Sequence, residues 1–105
     1  MSSVQDRVNS IIDKNRVAIF SETQCPNSKA VKKSLSDAGV QFHAEDIDRW
    51  DPSDKQEALN YLQRLTGEHT VPRVFVGGRS IGGNKEFQNE FVHGGRLSEL
   101  RASGG

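Results

Sequence analysis

Two β-type runs joined by one helical repeat constrain this chain most. Arg16 to Ser21, centred on Val17-Ala18-Ile19-Phe20, reads as a buried strand, and Val40 to Ile47 is rich enough in β-formers to be a second. Between them a helix starts at Pro26, an allowed first helical residue. Ala30-Val31, Leu35 and Ala38 line one face of it, and Gly39 supplies a stop. A strand-helix-strand unit implies a parallel pair with a right-handed crossover. Further on, Val71-Pro72-Arg73-Val74-Phe75-Val76, the turn Gly77-Gly78 and Arg79-Ser80-Ile81 read as a hairpin, which adds an antiparallel pair. The expectation is an α/β fold with one mixed four-stranded sheet flanked by helices.

The remaining helices follow from the same patterning. Val4, Val8, Ile11 and Ile12 mark a first helix running to about Lys14. Asp51-Pro52 opens another, with Asp51 as its cap and Ala58, Tyr61, Leu62 and Leu65 as its buried stripe before Gly67. Gly82-Gly83-Asn84 leads into a helix with Phe87, Phe91 and Val92 inward. Gly94-Gly95 breaks it, Leu97 and Leu100 point to a final short helix, and the tail is expected to fray from Ala102.

A length of 105 residues suits one domain, 1–105, able to bury a core without disulfide staples. Fourteen basic and fourteen acidic residues cancel without forming long blocks, which argues against a nucleic-acid partner or an anionic membrane surface. The start, Met1-Ser2-Ser3-Val4-Gln5-Asp6-Arg7, lacks an apolar signal core, and no run approaches the roughly 20 apolar residues needed to span a bilayer. A cytoplasmic protein is the expectation, and a single cysteine agrees with a reducing compartment.

That cysteine, Cys25, sits in Thr23-Gln24-Cys25-Pro26-Asn27-Ser28, where the first strand gives way to a helix. Unpaired backbone N–H groups and the positive end of the helix dipole favour a thiolate there. With no second cysteine in the chain, any redox cycle must take its partner thiol from outside. Ser28 lies on the same helix face as Cys25; it either donates a hydrogen bond to the thiolate or is a solvated helix residue. It cannot resolve a disulfide. His43, His69 and His93 lack metal-site spacing and read as surface or structural residues, so no metal site is expected. Trp50 reads as a loop residue covering the core edge, and Glu45, Asp46 and Asp48 as a solvated strand end.

A strand, then Cys25-Pro26-Asn27-Ser28 at a helix start, then Thr70-Val71-Pro72 and Ile81-Gly82-Gly83 before the last main helix: this order resembles the glutaredoxin family. The resemblance spans about residues 4 to 101 and implies a thioredoxin-like fold. The usual motif of this branch is Cys-Pro-Tyr-Cys. Here Asn27 and Ser28 stand at its last two positions, so the chain looks like a monothiol member on a dithiol background. The resemblance implies a cis Pro72 that presents the Val71 backbone beside Cys25 to pair with glutathione. It also implies that Thr70 to Pro72 line that groove. Gly83, Asn84, Lys85 and Glu86 would then receive the γ-glutamyl end, Glu86 facing its amino group. Two departures stand out: Glu22 replaces a lysine three residues before the cysteine, and Leu59 replaces a glutamine of the third helix, both of which hold the glycine carboxylate in the family. Lys29 and Arg73 are near enough in this reading to supply positive charge instead.

The function so implied is glutathione-dependent monothiol exchange at Cys25, removing glutathione from proteins or small thiols, with glutathione as co-substrate and the protein acting as a monomer. A rival from another class is a dimer in which two Cys25 thiolates and two glutathiones hold a [2Fe-2S] centre. Visible absorbance after anaerobic purification separates the two. A third is a noncatalytic interaction module, motivated by Glu22 and Leu59, in which Cys25 keeps an ordinary thiol pKa.

Overall fold

The structure, a computed structural model, describes residues 3–102. Of the tail expected to fray from Ala102, Ala102 itself is helical and the rest lies outside the described residues. Helix α1 (Val4–Lys14) opens on Ser3, whose hydroxyl accepts from the Asp6 N–H at 3.0 Å while its own N–H donates back to the Asp6 carboxylate. Then follow β1 (Val17–Ser21), α2 (Pro26–Asp37), β2 (His43–Asp46), a 3₁₀ turn (Ile47–Arg49), α3 (Pro52–Thr66), β3 (Arg73–Val76) and β4 (Arg79–Gly82). Helix α4 (Asn84–Phe87) runs on into a π-helical turn (Gln88–Val92), and α5 (Leu97–Ala102) closes the described chain.

The sheet order is β2-β1-β3-β4. β1 pairs parallel with β2 and antiparallel with β3, and β3 pairs antiparallel with β4 across the glycine turn. The mixed four-stranded sheet expected from the sequence is therefore present, with β1 at its centre and every residue of β1 buried. Alternation along β1 divides the core in two. Val17 and Ile19 face a cluster with Val31 and Leu35 of α2, Phe87 of α4, Phe91 and Leu100. Ala18 and Phe20 face the other, with Val8 and Ile12 of α1, Ala58 and Leu62 of α3, and Trp50. Phe20 meets Phe75 of β3 edge to face at 5.9 Å between ring centroids. Among the described residues no helix is long and apolar enough to cross a membrane.

Several boundaries differ from the sequence reading. β2 begins at His43 instead of Val40, because the exit of α2 uses the intervening backbone: Gly39 adopts φ 72° and the Val40 N–H donates back to the Leu35 carbonyl at 3.0 Å. β3 begins at Arg73, since Pro72 has no N–H for the ladder. Asp51 occupies the cap position of α3, but its carboxylate accepts from the Ser53 hydroxyl and caps no backbone N–H. The α3 stripe ends at Leu62; Leu65 is 45% exposed.

Candidate active site

Cys25 is presented by a tight turn that leaves β1 at Ser21 and enters α2 at Pro26. The Cys25 N–H donates to the Glu22 carbonyl at 3.3 Å, and the first helical bond runs from the Lys29 N–H to the Cys25 carbonyl. Acids at the end of β2 fix this turn from the side. Asp48 accepts from both the N–H and the hydroxyl of Thr23, and Asp46 accepts from the Ser21 hydroxyl and pairs with Lys32, each at 2.7 Å. Glu45 accepts from the Trp50 indole N–H at 2.8 Å and pairs with His43 at 2.9 Å. The reading of these acids as a merely solvated strand end is therefore corrected: Glu45 and Asp46 are half-buried, and all three are partnered. Trp50 does cover the core edge, with the Arg7 guanidinium 3.6 Å over its ring.

The half-buried Cys25 sulfur lies 3.9 Å from the Val71 carbonyl oxygen, to which the thiol donates. Burial pushes the Cys25 thiol up, and the Glu22 charge pushes the same way. The Ser28 hydroxyl and the backbone N–H groups of Ser28 and Asn27 outweigh both, so the thiol titrates below its ordinary value. Ser28 is fully buried, so it is not a solvated helix residue. Its oxygen also accepts from the Glu22 N–H at 3.4 Å, which fixes the hydroxyl in place.

Two segments distant in sequence meet the Cys25 turn. The Val71–Pro72 peptide bond is cis, Pro72 is buried, Val71 is half-buried against the α1/α3 core, and Thr70 is exposed beside them. The Asn84 side-chain amide donates to the Asn27 side-chain oxygen Oδ1 at 3.2 Å, joining the head of α4 to the head of α2. Pro26 and Asn27 are exposed, as are Lys85 and Glu86. The Gly83 N–H donates to the Glu86 carboxylate at 2.7 Å, the main cause that holds Glu86 below the usual carboxylate range. Gly82 has φ 120°, and a Cβ there would stand 2.8 Å from the Glu86 side chain, so glycine is what lets the chain enter α4 here.

Neither cation considered from sequence stands free beside the sulfur. Arg73 is buried; its Nε donates to the Pro72 carbonyl at 2.9 Å, and its outer nitrogen would lie 2.7 Å from a Cβ on Gly83. Lys29 reaches the Gln24 side-chain oxygen at 3.4 Å. A third cation, missed from sequence, is Lys55 in the first turns of α3, whose ammonium pairs with Glu22 at 2.6 Å. Its signal was available: Lys55 precedes Leu59 by four residues and so shares a helix face with the position where a polar contact was missing. The three histidines are not brought together. His43 pairs with Glu45, and His69 contacts Asn60 and Gln56. Among the described residues no three His, Cys, Asp or Glu side chains form a group able to hold a metal ion.

The fold superposes on that of a buckwheat glutaredoxin solved as a complex with glutathione, at a TM-score of 0.86 and 28% identity over 96% of this chain and 90% of that one. This defines the class: a thioredoxin-like fold with one cysteine at the head of its first crossover helix. The glutaredoxin family model matches residues 17–81. Relatives include a glutaredoxin of Vernicia fordii, 41% identical over 70% of this chain and 68% of its own length. Glutaredoxin-1 of Sus scrofa is 36% identical over 92% of each chain. The chain belongs to the glutaredoxin family.

Proposed function

We propose that this chain is a glutathione-dependent thiol-disulfide oxidoreductase that works through Cys25 alone and removes glutathione from mixed disulfides of proteins or small thiols. The observation that carries this reading is the Cys25 sulfur, held 3.9 Å from the Val71 carbonyl and favoured as a thiolate by Ser28 and Asn27. The Cys25 thiolate attacks the glutathionyl sulfur. A Cys25–glutathione disulfide forms, the original disulfide breaks, and the substrate leaves as a thiolate that takes a proton from water. A second glutathione thiolate then attacks the glutathionyl sulfur on Cys25, forming oxidised glutathione and restoring the Cys25 thiolate.

Glutathione itself would lie extended along the backbone of Thr70, Val71 and Pro72, as an added strand does. Its γ-glutamyl carboxylate would meet Gly83, Asn84 and Lys85 at the head of α4. Glu86 is then shared between the Gly83 N–H and the γ-glutamyl amino group. Pro26 starts α2 and Asn27 ties it to α4, so the two helix heads keep one spacing. Family membership and the glutathione complex of the buckwheat relative support glutathione as the co-substrate. The absence of a second cysteine supports the monothiol cycle. A cycle driven by reduced glutathione suits a reducing, cytoplasmic setting and needs only one protomer.

Steady-state turnover of a glutathionylated peptide with reduced glutathione tests this reading. Double-displacement kinetics that vanish in Cys25→Ser are expected; turnover retained in Cys25→Ser would overturn it.

A further inference from the structure

Three helix heads meet at the end of β1. α4 is tied to the Cys25 turn by the Asn84–Asn27 contact, and α3 by the Lys55–Glu22 pair at 2.6 Å. In the proposed function a ligand lies extended along Val71 with its sulfur on Cys25 and its γ-glutamyl end at the head of α4, which leaves its glycine end for the Glu22–Lys55 pair. Both side chains are about one-third exposed, 29% and 33%. The Cys25 N–H donates to the Glu22 carbonyl at 3.3 Å, which puts the pair on the turn that presents the reacting sulfur. Asp48, bound to Thr23 next along the turn, adds further negative charge.

A free carboxylate arriving here has two choices, and neither favours it. It can draw Lys55 away, leaving Glu22 unpaired beside a second carboxylate, or it can lie against a pair of no net charge. An amide end meets neither difficulty: its N–H donates to Glu22 and its carbonyl accepts from Lys55. A cationic amide gains further from Glu22 and Asp48. Resting on the proposed glutathione-dependent exchange, we propose that the Glu22–Lys55 pair sets substrate choice, admitting glutathione-type thiols whose glycine end is amidated or cationic at least as well as the free acid.

Single-turnover release of a coloured aromatic thiolate from its mixed disulfide with glutathione, or with glutathione glycine amide, tests this on the purified full chain. Each rate is divided by that for a small reference thiol in solution. The acid-to-amide ratio is expected at or below one. Glu22→Gln frees Lys55 and is expected to raise the ratio roughly two- to fivefold, the size of one half-exposed charge pair; Lys55→Gln is expected to lower it. Changes in Cys25 reactivity act on both substrates alike and cancel in the ratio. An acid preference of about tenfold or more in the wild-type chain overturns the inference, as does a ratio that Glu22→Gln leaves unchanged. Where Glu22→Gln fails to fold, the wild-type ratio and Lys55→Gln decide. If neither substrate reacts faster than with Cys25→Ser, the exchange activity itself falls, and this inference with it.

Discussion

The sulfur of Cys25 and the carbonyl oxygen of Val71 stand 3.9 Å apart across 46 residues of sequence. This contact joins the helix head that activates the thiol to the extended backbone that can pair with a peptide. As a thiol, Cys25 donates to Val71. As a thiolate, it is favoured by Ser28 and Asn27. The two protonation states therefore have different partners, and substitutions at Ser28 act on one of them.

Ser28→Ala is expected to move the midpoint of Cys25 alkylation upward in pH. It removes the hydroxyl that favours the ionised sulfur and leaves the Glu22 charge in place. Below the midpoint, iodoacetamide reacts with the variant roughly 2–10 times more slowly, the size of one hydrogen bond. An unmoved midpoint means that Ser28 has no share in holding the thiolate.

Ser28→Cys is expected to give a chain that closes a disulfide between residues 25 and 28. Residue 28 follows Cys25 by three positions at the head of α2, its hydroxyl favours the ionised sulfur, and its side chain is fixed by burial. Glutathione loaded on Cys25 then leaves without a second glutathione, which quenched mass spectrometry reads directly. A glutathione adduct that persists in this variant contradicts the geometry.

Much of this architecture was legible because it rests on local chemistry. The apolar run of β1, the stop at Gly39 and the Gly77-Gly78 turn each point to one answer, and the sheet follows from them. The helix-head position of Cys25 was legible for the same reason. What escaped depends on long-range side-chain pairing that no period records. The partnering of Asp48 with Thr23 and of Glu22 with Lys55 joins elements far apart in the chain. The π-helical turn at Gln88–Val92 was hidden too, since Phe87 and Phe91 are inward in an α-helix as well.

Acid is expected to unfold the chain through Glu45 and Asp46. Burial pushes each carboxyl up, but His43, Trp50 and Arg7 hold Glu45 below its ordinary value, and Lys32 and Ser21 do the same for Asp46. With folded values below unfolded ones, the contribution is complete above the ordinary carboxylate range, about pH 4 to 5. It is lost as the pH falls through the lowered values. Thermal melts in a pH series are expected to show a falling Tm below that range, with a shallower fall in Asp46→Asn. An equally steep fall in that variant contradicts the assignment.

Gly82→Ala is expected to destabilise by about 1–3 kcal/mol, because φ 120° is strained for any side chain and the new Cβ meets Glu86. Gly77, at φ 57° with open space around it, is expected to accept asparagine with little change in Tm. Equal melting losses at the two sites would contradict the close approach at Glu86.

The central claim is that the thiolate of Cys25 takes up glutathione. Incubation with oxidised glutathione followed by peptide mass spectrometry tests it most directly. One glutathionyl adduct, on Cys25 alone and removed by reduced glutathione, is the predicted result; a chain that stays unmodified contradicts the account.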